Sequence, residues 1–227
     1  MTGDPVFSDL VVSASLFVLH DLNRTTLGNQ FIFSYSPFDR EQVFNASMKA
    51  VRLLAQVYKL TGDESVKYNA KCAAEFVVSK QRGDGSWGYS IRQGGNWTDN
   101  YHSGYVLDCL DDYCTLCSDE SYRDCLRKGY NFYKGHFIGS SGMPQFYPDK
   151  PWPADCTAGA QTILTLNRFG DSEAAVRVAL WMIRNMQEEG GGFYYRKFRH
   201  YKIKTNLIRW SDAWMFNALT SILDKLN

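Results

Sequence analysis

Apolar residues recur near i, i+3, i+4 and i+7 along eight stretches of the chain, the spacing of a helix with one buried face. These stretches predict helices over 5–22, 40–60, 64–81, 99–117, 119–135, 153–169, 172–188 and 207–226. In the second, Val43, Ala46, Ala50, Leu53, Leu54, Val57 and Leu60 fall on one stripe. The links between helices alternate in length. Thr61-Gly62-Asp63-Glu64, Ser118-Asp119-Glu120 and Gly170-Asp171-Ser172-Glu173 are short, with Gly or Ser to stop one helix and Asp or Ser to cap the next. The others, 23–39, 82–98, 136–152 and 189–206, are long and carry Gly and aromatics, with extended pieces expected at Gln30–Tyr35 and Gly192–Tyr195.

Alternation of this kind predicts helical hairpins with all short turns at one end and all long loops at the other. Loops on a rigid scaffold carry function, so the long-loop end is the candidate site. The helices expected to open there begin at Asp39, Asp99, Asp155 and Ser211–Asp212. A repeat supports the same reading. Lys71–Tyr89 (KCAAEFVVSKQRGDGSWGY) runs a helix into a glycine-rich turn with an aromatic. Arg177–Tyr195 does so again, and Lys128–Tyr147 is a degenerate copy. Trp87, Met143 and Phe193 are placed at matching positions, 56 and then 50 residues apart. Such a period means stacked supersecondary units. No linker or composition shift interrupts it, so a single domain over 1–227 is expected.

Composition adds little to the architecture and something to the chemistry. Of 227 residues, 44% are hydrophobic, enough for a sizeable core, and 15% are aromatic, which suggests a wet cleft with apolar walls. Net charge is +1, so no global polyanion partner is implied, and nucleic acid is not expected. Val11–Leu19 is apolar but follows Asp4 and Asp9 and no Lys or Arg, unlike a secretion signal, and is too short to span a bilayer. The expected location is cytoplasmic. The Asn-x-Ser/Thr triplets at Asn23, Asn45 and Asn96 then carry no meaning. Six cysteines read as reduced core thiols. Cys109, Cys114 and Cys117 have an iron–sulfur-like spacing, but on one predicted helix their sulfurs would fan out, so neither metal nor cofactor is expected.

In the first repeat Lys71, Phe76, Gln81, Gly85 and Trp87 resemble the repeat motif of triterpene cyclases; Arg177, Trp181, Gln187, Gly191 and Phe193 match it less well. The resemblance implies that the Gln caps the next helix and stacks on the Trp as a structural tie. The chain as a whole is similar to the α/α-toroid group: terpene cyclases, protein prenyltransferases, and α/α-barrel glycosidases, lyases and epimerases. WTDNYHSGYVLDCLDDY and IRWSDAWMFNAL are also similar to helical proteins of bacterial surface-polysaccharide gene clusters. The implied fold is all-α, an incomplete α/α toroid: an arc of about four helical hairpins, seven or eight helices, with short extended pieces in the long loops.

Four clusters carry candidate chemistry. Trp97-Thr98-Asp99-Asn100-Tyr101-His102 opens a helix; Asp99 and His102, three apart, share a face and suit acid–base work. Trp152-Pro153-Ala154-Asp155 and Arg209-Trp210-Ser211-Asp212 each set a carboxylate at a helix start beside a Trp, as sugar sites do. Each acid also reads simply as a helix cap. Between 196 and 209 lie Arg196, Lys197, Arg199, Lys202, Lys204 and Arg209, with no acid; beside helix N-termini they would attract an anion. Trp87 and Phe193 are expected to pack, and Tyr89, Trp97, Tyr101, Tyr147, Trp152, Tyr195 and Trp210 to meet a ligand. Asp108, Asp111 and Asp112 read as a polar helix face, without the acid motifs of terpene cyclases.

The leading expectation is therefore a protein that acts on or binds an acidic, uronate-containing saccharide. His102, Asp99, Asp155 and Asp212 would be its catalytic candidates, and Arg196 and Arg209 would meet the carboxylate. If it is an enzyme, lyase, epimerase or hydrolase chemistry is expected. Two alternatives stay open: isoprenoid chemistry, which needs a deep apolar pocket, and a non-catalytic module whose uncovered helix faces favour a homodimer.

Overall fold

The computed structural model describes residues 5–226. Their contacts group into two compact units, one built from the residues up to Trp97 together with Tyr105–Tyr130, the other from Thr98–Gly104 and Asn131 onward. Among the described residues there are eight α-helices and five short strands. None of the helices is long and apolar enough to cross a membrane.

The first unit opens with α1 (Pro5–His20) and the antiparallel hairpin of β1 (Arg24–Leu27) and β2 (Gln30–Phe33), in register from Arg24↔Phe33 to Leu27↔Gln30. Phe31, Ile32 and Phe33 are buried, and β2 packs on α2 (Phe44–Thr61) and α3 (Glu64–Val78). The α2–α3 turn forms as its sequence predicts. Gly62 adopts the left-handed conformation (φ 71°) and donates its N–H to Tyr58 O at 2.8 Å. Asp63 accepts the Ser65 N–H at 2.8 Å and so caps α3. The α3 side of the hairpin is lined by Ala70, Ala73 and Ala74, all fully buried, small enough for close approach.

Two helices divide between the units: α4 (Asn100–Cys117), whose start through Gly104 belongs to the second, and α5 (Arg123–His136), which enters the second after Tyr130. The second unit adds β3 (Ala154–Asp155), α6 (Cys156–Arg168), α7 (Ser172–Met186), β4 (Tyr194–Lys197), β5 (Lys202–Asn206), a π-helical turn over Ile208–Asp212 and α8 (Ala213–Leu226). The strands form one antiparallel sheet in the order β3-β4-β5. Helix α6 packs on both α7 and α8. It approaches α7 closely at Gly159, where a Cβ would come within 2.6 Å of Met182 Sδ.

The predicted repeat is visible in the backbone. In each copy a helix runs into a tight turn closed by paired main-chain bonds: Arg82 N–H to Ser86 O, Gly139 N–H to Met143 O and Glu188 N–H to Gly192 O, each 2.9 Å. Gly85, Gly142 and Gly191 occupy the same place with φ of 93°, 83° and 90°. These bonds align Trp87 and Phe193 with Pro144 rather than Met143, a one-residue correction. In every copy one residue separates the glycine from that position: Ser86, Met143 and Gly192. The glutamines of the motif do tie the turn. Gln81 Nε2 donates to Gly85 O (3.0 Å) and to Cys125 O (2.9 Å), and Gln187 Nε2 to Gly191 O (3.0 Å). Trp87 and Phe193 are buried, and the Trp87 indole N–H reaches Val77 O at 2.9 Å.

Helix starts differ from the periodicity at four places, one of them the π turn that precedes α8 at Ala213. Helix α2 begins at Phe44, because the Asp39 carboxylate is engaged by Ser36 and by the N–H groups of Tyr35 and Glu41 within its own turn. Helix α6 begins at Cys156, since Ala154 and Asp155 pair with β4. The 119–135 stretch starts as a 3₁₀ turn over Glu120–Tyr122. Strands β1 and β5 lie outside the expected extended pieces. Cys109, Cys114 and Cys117 are buried along α4, and burial pushes their thiols up to about 12, 12 and 11.

Candidate active site

Each glycine turn leads into an extended segment, and each such segment hydrogen-bonds the start of a helix from the preceding repeat. Tyr89 O accepts the Phe44 N–H at 3.2 Å, Phe146 O accepts the Asn100 N–H at 3.0 Å, and Arg196 pairs with Asp155 across β3 and β4. Within each unit, helix starts and extended segments thus meet. In the second unit those positions carry most of the candidate residues.

Asn100 fixes the first of them from behind. Its amide, wholly buried, donates to Gln145 O (3.0 Å) and Thr162 Oγ1 (2.9 Å) and accepts from the Tyr133 hydroxyl (2.7 Å). Asp99, beside it, is buried and accepts the His102 N–H at Oδ1 (3.0 Å); His102 Nδ1 lies 2.6 Å from Oδ2. One carboxylate therefore caps α4 and orients an imidazole. With Nδ1–H given to Asp99, Nε2 is the basic nitrogen. The Tyr101 ring stands 4.2 Å from that of His102 and edge-on to Phe146 at 5.7 Å. Burial, and then the charges of Asp99 and Asp155, push the Tyr101 hydroxyl well above its ordinary range. At neutral pH the hydroxyl keeps its proton.

Asp155 caps α6, accepting the Ala158 N–H at 3.1 Å, and its other oxygen accepts the Arg196 Nε–H at 2.7 Å. Its side chain is 2% exposed. Burial pushes the carboxyl above the usual carboxylate range, and the attraction of Arg196 pulls it back only in part. The Arg196 guanidinium lies between two rings, 4.8 Å from the centroid of Phe146 and 4.9 Å from that of Tyr195. Among the described residues Asp155 is its hydrogen-bond partner, through Nε, so Nη1 and Nη2 still present N–H groups.

Tyr101, Asp155, Thr157, Tyr195, Arg196, Leu207 and Trp210 line a cleft of about 230 Å³. Thr157 ties its wall together by donating Oγ1–H to Trp210 O at 2.7 Å. Trp210 is 49% exposed, and Arg209 lies over its ring at 5.5 Å. The remaining candidates stand as follows. Asp212 accepts the Phe193 N–H at 2.8 Å. Tyr147 packs edge-on against Phe146 at 4.7 Å. Trp152 faces Lys197, whose ammonium also sits over Trp181 and bonds Asn185 Oδ1 at 2.9 Å. Tyr89 and Trp97 belong to the first unit and stack on each other at 4.6 Å. Sequence reasoning passed over Thr157, Leu207 and the ring of Phe146 beneath Arg196. Only Phe146 left a signal, as a loop aromatic. Among the described residues no three His, Cys, Asp or Glu side chains gather to hold a metal.

No family model and no curated protein matches the chain. Solved structures do. A possible member of the GH105 family from Salmonella enterica serovar Paratyphi A superposes with a TM-score of 0.75 at 16% identity, covering 100% of this chain and 68% of that one. Unsaturated glucuronyl hydrolase from Bacillus sp. GL1, responsible for glycosaminoglycan degradation, gives 0.71 at 16%, covering 96% and 68%. Cellobiose 2-epimerase from Bacillus thermoamylovorans gives 0.73 at 12%, covering 98% and 66%. The fold is that of the α/α-toroid carbohydrate enzymes. The chain spans about two thirds of the length of the chains it matches. At this identity the likeness establishes fold, and function must be argued from the site.

Proposed function

We propose that the chain is a carbohydrate-active protein that takes an acidic, uronate-bearing saccharide in the cleft of the second unit. The observation that carries this reading is Arg196. It is held by Asp155, flanked by two aromatic faces, and keeps N–H groups for a carboxylate. Trp210 and Tyr195 supply apolar walls for a sugar ring. Two neighbours of the same fold are unsaturated glucuronyl hydrolases, one of them specific for heparin, which supports the acidic substrate class.

The groups for proton transfer are paired by environment. Asp155, with its raised carboxyl, is suited to give a proton. His102, held through Nδ1 by Asp99, is suited to take one, either from a water in a hydrolase or from the carbon next to the uronate carboxylate in a lyase or epimerase. Arg196 would steady the carboxylate, including the charge that builds on it if a carbon proton is removed. The charged and hydroxyl groups at the cleft and its small volume disfavour an isoprenoid guest. The unpaired thiols suit a reducing, cytoplasmic setting, and the exposed Val6, Phe7 and Leu10 of α1 favour a homodimer, which light scattering would reveal.

The test is binding and turnover of unsaturated and saturated uronyl oligosaccharides against neutral ones of equal length. Hydrolysis is followed by loss of ultraviolet absorbance of the conjugated double bond, epimerisation by deuterium uptake in NMR. Arg196→Gln should weaken uronate binding about 10- to 100-fold, the worth of a charged hydrogen bond, and leave neutral sugars unaffected. The reading fails if uronates bind no better than neutral sugars, or if His102→Ala with Asp155→Asn leaves turnover and binding unchanged.

A further inference from the structure

Arg24, at the start of β1, is a cation with no carboxylate partner among the described residues. Its Nη1 donates to Asn69 Oδ1 and its Nη2 to Leu19 O, both at 2.9 Å. The guanidinium lies over Phe31 at 4.5 Å and near Phe33 at 5.3 Å. Rings offer π faces, and the amide and carbonyl offer dipoles, but among the described residues no carboxylate pairs with it. Burial lowers its pKa, yet a guanidinium stays charged in proteins. Two of its five N–H groups are engaged, so three remain. Leaving a half-buried charge in this condition is costly unless something completes it.

Arg24 lines a pocket of about 560 Å³ in the first unit, within the range of small-molecule sites, about 300–1,000 Å³. Val12, Leu16, Leu19, Val57 and Val66 form its apolar walls, contributed by α1, α2 and α3. One acid, Asp63, also lines it, but that carboxylate is committed to the cap of α3. A cation with spare donors beside an apolar wall selects a ligand with a charged head and a hydrocarbon body.

We infer that this pocket is a second ligand site, built from first-unit residues alone, for a small amphiphilic anion whose carboxylate or phosphate head meets Arg24 and whose short apolar body lies along Val12, Leu16 and Val57. The assignment does not depend on the saccharide reading. Calorimetric titration of the full chain with octanoate, octanol and inorganic phosphate tests it. Octanoate should bind at least tenfold more tightly than octanol, which lacks the charge, and than phosphate, which lacks the body. Arg24→Gln should weaken octanoate at least tenfold. Leu16→Trp, at an exposed position, should block the pocket while circular dichroism stays native, so the assignment remains testable if Arg24→Gln unfolds. Equal binding of octanoate and octanol, equal binding of phosphate and octanoate, or full octanoate binding by a folded Arg24→Gln or Leu16→Trp chain would overturn it.

Discussion

Replacing Gly142 by Ala separates two penalties that usually come together. Gly142 and Gly191 occupy the same place in two copies of one turn, with φ of 83° and 90°. An Ala forced into that left-handed conformation costs about 1–2 kcal/mol at either position. The surroundings differ. A Cβ at Gly142 would lie 2.8 Å from Arg177 O and 3.0 Å from Arg177 C, whereas at Gly191 nothing stands within 4 Å. The obstacle at Gly142 is main chain of α7, which cannot rotate aside as a side chain would. Overpacking of this kind adds about 1–3 kcal/mol. Gly→Ala also narrows the unfolded ensemble by about 0.4–1 kcal/mol, but equally in both, so it cancels in the comparison. Gly142→Ala should therefore be less stable than Gly191→Ala by about 1–3 kcal/mol. Both glycines belong to the second unit, so urea denaturation followed by far-ultraviolet circular dichroism reads the same transition. Equal losses, or a larger loss at Gly191, would refute the claim that α7 rests against the bare glycine.

Three further outcomes follow from the packing and the titrating groups. Asp155 binds its proton more tightly folded than unfolded, so it contributes stability below the unfolded value, 3.8, that is lost as pH rises through its raised folded value. The stability of wild type minus that of Asp155→Asn should accordingly fall on going from pH 4 upward; a flat or rising difference in urea titrations contradicts the raised carboxyl. Asn100→Ala removes the bonds its buried amide makes with the Tyr133 hydroxyl, Thr162 Oγ1 and the Gln145 carbonyl, while Tyr133 and Thr162 keep each other and Ala158 O, and should cost about 1–3 kcal/mol, measured by chemical denaturation; a loss under 1 kcal/mol would show that the network is not needed. Cys109, Cys114 and Cys125, all pushed up to about 12, should react with a thiol reagent at pH 8 at least a hundredfold more slowly than a free cysteine until the chain unfolds, and rapid native labelling of Cys109 would contradict its burial.

Much of the fold is legible locally. The stripe of Ala50, Leu54 and Val57, all buried, the Gly62–Asp63 stop and cap, and the glycine turns at 85 and 191 are each set by a few neighbouring residues, so spacing alone reveals them. Legibility ends where partners are distant. Nothing near Asp155 in sequence announces that an arginine 41 residues later will hold it. Nothing in the basic run distinguishes Arg196, turned to the cleft, from Lys197, absorbed between two indoles. Asp39 illustrates the opposite failure: a residue well suited to cap a helix was claimed by its own turn, and α2 starts five residues later. Of the candidate acids, Asp99 and Asp155 were found because capping and chemistry favour the same helix start. Asp212 occupies a π turn that periodicity does not foresee.

Each extended segment secures a helix start that was made one repeat earlier, and this has a consequence for a chain emerging from the ribosome. The beginning of α6 can wind as soon as it appears, but Asp155 has no guanidinium to hold it until β4 has been synthesised. The acid and its cation are thus joined only after α6 and α7, which lie between them in the chain, have been made. A nascent chain halted before residue 194 would carry an Asp155 without its guanidinium, so this cleft is completed only when β4 arrives.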